Sequence, residues 1–145
     1  MDRADRYAAY AAAFEDAYAS DDWSRIAPYF TESATYRSYY GANLEVTGRD
    51  AVLRQLRSDA QAFDRKFDGR KLEFTEGPRD DGERIFARWK MVYSKAGAPD
   101  LVLCGIERAT FEGEQIALLE DEYEPETFGE FGAWLGKYGG FLHED

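Results

Sequence analysis

The stretch Leu101–Glu124, LVLCGIERATFEGEQIALLEDEYE, limits the fold more than any other part of the chain, because two long alternating runs meet at one polar turn, the pattern of a β-hairpin. With Glu112-Gly113-Glu114 as the connection, Phe111 falls opposite Gln115, Glu107 opposite Leu119 and Gly105 opposite Asp121. Strand side chains alternate between faces, so Gly105, Glu107, Ala109 and Phe111 share a face with Ala117, Leu119, Asp121 and Tyr123. Two acids, Glu107 and Asp121, therefore stand in a wall of small and apolar residues. If that wall lines a pocket, burial and mutual repulsion raise at least one carboxyl pKa. They are the candidate catalytic residues.

The preceding chain supplies helices and more strands. Tyr7, Tyr10, Phe14 and Tyr18 recur at helical spacing between Arg3 and Ala19, among many alanines. Ser20-Asp21-Asp22 interrupts that helix, and Trp23, Ile26, Ala27 and Phe30 form a second, short one that Pro28 should end early. After Thr31-Glu32-Ser33 the period becomes two, predicting a strand from Ala34 to Tyr40, a turn at Gly41-Ala42-Asn43 and a return strand through Leu44 and Val46. Thr47-Gly48-Arg49-Asp50 resembles a capping box, opening a helix striped by Val52, Leu53, Leu56, Ala60, Phe63 and Phe67 and stopped by Gly69. Leu72 and Phe74 mark a strand, Pro78 to Gly82 a turn, and Ile85 to Tyr93 a long alternating strand. Beyond Pro125, Phe128, Phe131, Leu135 and Tyr138 predict a C-terminal helix over about 126–139, covering either the mouth of its own sheet or a second subunit.

This order reads as an α+β domain, a single unit over residues 1–145, with helices gathered on one face of a strongly curved antiparallel sheet. Such a cone has an interior. Its candidate lining is Tyr36, Ser38, Trp89, Met91, Tyr93, Leu103, Leu119 and Tyr123, around Glu107 and Asp121. The opposite face carries Val92, Val102, Ile106, Ile116 and Leu118, more apolar surface than a solvated face needs, which points to a homodimer through the outer sheet face. Mid-strand on that face, Cys104 reads as a buried small hydrophobe.

A net charge of -11, from 29 acids against 18 basic residues, repels a phosphate backbone and argues against nucleic acid. No apolar run reaches the roughly 18 residues of a membrane span, and MDRADRY has neither the apolar middle nor the cleavage site of a signal peptide, so a cytoplasmic location without a membrane partner is expected. One cysteine and one histidine, His143, give no basis for a thiolate or imidazole metal site, and an all-carboxylate site has no loop motif behind it. Neither metal nor cofactor is expected.

The segments SDDWSRIAPYFTESATY, GRDAVLRQL and GIERATFEGEQIALLEDEYEP, in this order, resemble the nuclear transport factor 2 superfamily, in its SnoaL-like and ketosteroid-isomerase-like branches, over roughly residues 5–124. The resemblance implies a cystatin-like cone around helices, frequent dimers, and acids in the cone that serve as bases. It places Ser38 where ketosteroid isomerases keep their base and, in a gapless match, Ala13 where they keep a tyrosine on the first helix. Glu107 falls on their protonated, oxyanion-holding acid, a role the type enzyme illustrates. Asp121 lies on the strand where SnoaL-like cyclases carry a catalytic aspartate. The superfamily spans many activities, and two readings stay open. One is a pocket protein binding a small, largely apolar molecule. The other is a cofactor-independent isomerase, cyclase or lyase using Glu107 and Asp121 for proton transfer on a carbonyl compound.

Overall fold

The computed structural model describes residues 2–40 and 42–142. His143, and Gly41 of the expected turn, lie outside these residues. Helix α1 spans Arg3–Ser20 and is followed by a 3-10 segment, Trp23–Tyr29. Strands β1 (Phe30–Tyr40) and β2 (Ala42–Thr47) precede helix α2 (Arg49–Ala62). Strands β3 (Gly69–Asp80), β4 (Ile85–Ser94), β5 (Leu101–Glu112) and β6 (Gln115–Tyr123) lead to helix α3 (Pro125–Tyr138). The six strands form one sheet in the order β2-β1-β6-β5-β4-β3.

Local chemistry sets the boundaries. The Asp2 carboxylate accepts from the Asp5 amide and caps α1. Asp21 ends the helix at φ +58, and its side chain accepts from the indole of Trp23. Pro28 sits within the tight 3-10 turn, one residue from its end. The β1 strand starts at Phe30, four residues earlier than the alternation indicated: Phe30 already pairs with Ile116 of β6, and Thr31-Glu32-Ser33 lies in extended strand across a register irregularity that ends at Thr35.

Several expectations are corrected. The sheet is not wholly antiparallel: β1 and β6 run parallel, with Ser38 beside Asp121. No capping box opens α2, since Gly48 occupies the N-cap at φ +102 and the Thr47 hydroxyl faces that of Thr35 across the β1/β2 pair at 3.2 Å. That helix stops at Ala62, well before Gly69, where Asp64 turns to accept from Tyr93 at 3.0 Å and from Arg70 at 2.8 Å. Pro78 lies inside β3 and not in a turn; the strand is at the sheet edge and its register shifts on either side of Glu76, so the missing amide proton leaves no gap in a central ladder.

The hairpin register also moves. Glu112 pairs with Gln115, leaving a two-residue turn, and a bulge between Thr110 and Phe111 adds a second offset. One residue from the turn and one from the bulge sum to two. The faces are therefore preserved while the partners change: Glu107 stands directly opposite Asp121, and Gly105 opposite Tyr123. Near the bulge the parity does flip, and Ile116, expected outside, is buried in the core beside Phe30.

Two apolar clusters hold the fold. One joins Tyr7, Tyr10, Ile26, Phe30, Val52 and Leu56 to Ile85, Ala109 and Leu119. The other joins Phe67, Met91, Leu101 and Leu103 to Trp134 and Leu142. The C-terminal helix thus covers its own sheet: Trp134 stacks near Phe67 and donates to the Pro99 carbonyl at 2.9 Å, and Phe131 packs on Phe63. The outer sheet face is mixed, with half-buried Val92, Val102, Cys104, Ile106 and Leu118 set among Arg88–Glu124, Arg108–Glu122, Lys90–Glu73 and Arg84–Glu120 pairs.

Gly105 is where the sheet admits the Trp89 ring. A Cβ built there would lie 2.2 Å from Trp89 Cζ2 and 2.5 Å from the Glu122 carbonyl oxygen. The backbone oxygen cannot be moved aside by a rotamer change, so Gly105→Ala should lower stability by about 1–3 kcal/mol, measured as a reduced urea midpoint at unchanged slope.

Candidate functional site

Between the helices and the inner sheet face lies a cavity of about 320 Å³. Tyr7, Tyr10, Ala11 and Phe14 of α1 form one wall. Leu56, Asp59, Ala60 and Ala62 of α2, with Phe63 and Asp64 just after it, form a second. The sheet supplies Tyr36 from β1, Arg70, Leu72 and Phe74 from β3, and Trp89, Met91 and Tyr93 from β4. Glu107 on β5 and Asp121 and Tyr123 on β6 complete it. Asp59 and Ala62 are also exposed to solvent, which puts the opening at the C-terminal end of α2.

The structure thus gathers Glu107, Asp121, Tyr36, Trp89, Met91, Tyr93 and Tyr123 around one space. Ser38, Leu103 and Leu119 are buried but do not line it. Leu119 and Leu103 are absorbed by the two apolar clusters, and Ser38 is covered beside Asp121 on the parallel strand pair.

Glu107 and Asp121 form the chemical centre. They are a direct cross-strand pair joined by a side-chain hydrogen bond. The Tyr7 hydroxyl donates to Glu107 Oε1 at 2.5 Å, and the Tyr36 hydroxyl donates to Asp121 Oδ2 at 3.5 Å. Two ionised carboxylates in such contact repel strongly, so the pair is held together by one proton. Burial raises the Glu107 pKa above its ordinary value, and the hydrogen bonds from Asp121 and Tyr7 oppose that shift without cancelling it. The phenols of Tyr7, Tyr10 and Tyr36 are all pushed far up, first by burial and then by the nearby carboxylates, so each stays a neutral donor.

Neither nearby arginine competes for Glu107: Arg88 on β4 pairs with Glu124, and Arg108, next to Glu107 on β5, pairs with Glu122 on the outer face. Tyr10 has a different status from its neighbours. It is 3% exposed, it borders the cavity, and its hydroxyl has no hydrogen-bond partner among the described residues.

A second polar group lies at another part of the wall. Arg70 donates from Nη1 to Glu15 at 2.5 Å and from Nε to Asp64 at 2.8 Å, while Tyr93 donates to the other Asp64 oxygen at 3.0 Å. Asp59 accepts from the Gln55 amide at 2.8 Å. Burial raises the pKa of both Asp59 and Asp64. Sequence reasoning missed Tyr7, Tyr10, Asp59, Asp64 and Arg70. The two tyrosines did carry a signal, their helical spacing, which was read as a core stripe; the three charged residues carried none.

Curvature around helices with acids in the enclosed space defines a protein of the nuclear transport factor 2-like fold. The chain belongs to the SnoaL-like domain family, whose model matches residues 11–119. Among solved structures, TerC co-crystallized with polyporic acid is similar at 13% identity and a TM-score of 0.63, over 86% of this chain and 96% of that one. An NTF2-like protein of unknown function from Burkholderia pseudomallei has 14% identity and a TM-score of 0.65, over 89% and 97%. A protein with a ketosteroid isomerase-like fold from Catenulispora acidiphila, in complex with trimethylamine, has 17% identity and a TM-score of 0.62, over 90% and 92%. At these identities the likeness is one of fold. A search of curated proteins finds no match. No helix among the described residues is long and apolar enough to cross a membrane.

The raised Glu107 pKa has a measurable consequence for stability. The folded protein holds this proton at pH values where the unfolded chain, with a carboxyl near 4.5, has lost it, so the contribution of Glu107 to stability falls as pH rises above 4.5. Glutamine mimics the protonated acid. Glu107→Gln should be more stable than wild type in urea denaturation at pH 7.5, and the difference should close as pH falls towards 4.5.

Proposed function

We propose that the cavity binds a small, largely apolar molecule and that Asp121 and Glu107 move a proton on it, next to a carbonyl group. The carrying observation is the cross-strand acid pair inside a cavity of about 320 Å³, with a phenol on each acid. In this reading the pair's one proton rests on Glu107 when substrate is bound, and Asp121 takes a proton from the carbon beside the carbonyl. The electron pair of that C–H bond moves to the carbonyl oxygen, giving an enolate. Glu107, protonated, and the unengaged hydroxyl of Tyr10 are the donors that stabilise it. Return of the proton to another carbon isomerises the substrate; attack of the enolate carbon on a second carbonyl in the same molecule closes a ring.

This arrangement has the parts of the ketosteroid isomerase comparison in different places. Ser38 supplies no base, and the phenol of the first helix comes from Tyr7 and Tyr10, not from position 13. The base is Asp121, on the last strand. Fold relatives crystallised with polyporic acid and with trimethylamine support a small-molecule role for the cavity.

The test uses small cyclic diketones and aryl ketones in deuterated buffer, with α-proton exchange followed by NMR. Wild type should exchange at least one of them, and Asp121→Asn should lose about 10²-fold or more of that rate. Absence of exchange across the panel, together with ordinary carboxyl titration of both acids by carbon-13 NMR, would remove the proposal. The homodimer expected through Val92, Val102, Ile106 and Leu118 belongs to the same proposed reading; sedimentation equilibrium should give twice the monomer mass of 16.6 kDa.

A further inference from the structure

The charge of the cavity wall is unbalanced in one direction. Among the described residues its acidic side chains are Asp59, Asp64, Glu107 and Asp121, and its one cationic side chain is Arg70. The guanidinium of Arg70 is already engaged by Asp64 within the cavity and by Glu15 behind it. Asp59, at the opening, has the neutral Gln55 amide as its donor and no ion pair among the described residues. The Glu107–Asp121 pair, with one shared proton, keeps one negative charge. Counting Asp59, Asp64 and that pair against Arg70, the wall is short of about two positive charges.

What surrounds these acids is aromatic. Tyr36, Phe63, Trp89, Tyr93 and Tyr123 present rings to the same space, and ring faces attract cations, most strongly where water is excluded. Tyr10 adds a hydroxyl that has no hydrogen-bond partner among the described residues. An unengaged phenol, more than nine-tenths buried against a cavity, is a group kept for an N–H or O–H of a ligand. An anionic ligand meets repulsion from these acids and finds no free cation among the described residues of the wall. The net charge of -11 over the whole chain adds a field that draws cations towards the opening.

We infer that the molecule taken into this cavity carries a positively charged amine or ammonium group on an apolar body, its cationic end held at the opening by Asp59 and Asp64 and flanked by the aromatic wall. The apolar body then reaches inward towards Glu107 and Asp121. This rests on the reading of the cavity as a small-molecule site, though not on proton transfer, and it narrows the substrate class to amino-substituted compounds.

The test compares three probes of nearly equal shape, benzylamine, benzyl alcohol and benzoate, by calorimetric titration of the intact protein at low ionic strength and neutral pH. Benzylammonium should bind about tenfold more tightly than benzyl alcohol, benzoate should not bind, and added salt should weaken only the amine. Asp59→Asn, at an exposed position, should bring the amine-to-alcohol ratio close to one while leaving the alcohol unchanged. Alcohol binding as tight as amine binding would overturn the cationic ligand and leave the cavity as a small-molecule site. No binding of any probe would overturn both.

Discussion

The hydrogen bond between the Glu107 and Asp121 carboxyls is the contact on which the interior depends. An ionised carboxylate removed from water without a partner is one of the most expensive groups a protein can bury. Here two are placed side by side on adjacent strands, and the cost is met by a shared proton, by Tyr7 donating to one and by Tyr36 donating to the other. One phenol comes from α1, which packs against the sheet, and the other from β1, the strand paired with β6 in the sheet itself. Helix and sheet are therefore tied through the acids as well as through apolar contact, and the position of α1 over the sheet is part of what defines the site.

The cavity follows from how the two apolar clusters are divided. Tyr10, Val52 and Ile85 pack at one end, and Phe67, Leu101 and Trp134 at the other. Between them the sheet carries a glycine at 105, and the Trp89 ring lies across it. Large rings border the gap without filling it, since each is anchored by a neighbour: Tyr123 by Trp89 and Phe128, Phe63 by Phe67 and Phe131. Anchored rings thus leave the space beside the acid pair unfilled, and a low-dielectric surrounding strengthens the hydrogen bonds made there.

The acidic segment at the end of the sheet shows the same strand serving two environments. Glu120, Glu122 and Glu124 point outward and meet Arg84, Arg108 and Arg88, whereas Asp121 and Tyr123 point inward. Exposed pairs of this kind contribute little each. Their larger effect is on the interior, because an arginine engaged outside is not available to neutralise Glu107 within.

The one-dimensional pattern was sufficient for the elements and for the faces. Period two over 101–112 and 115–123 set Glu107 and Asp121 on one side of a hairpin, helical spacing set Tyr7, Tyr10 and Phe14 on one side of α1, and these depend on backbone geometry alone. Which residues meet across elements was decided by the tertiary structure. A shorter turn and a bulge brought Glu107 opposite Asp121 and turned Ile116 inward, and no alternation rule encodes a one-residue bulge. The closure of α1 over the sheet placed Tyr7 on an acid 100 positions away in the chain, and the early end of α2 delivered Asp64 to Arg70 and Tyr93. Contacts between distant segments come from packing three-dimensional shapes against each other, so a local period announces a face and its polarity but not the partner that the face will find.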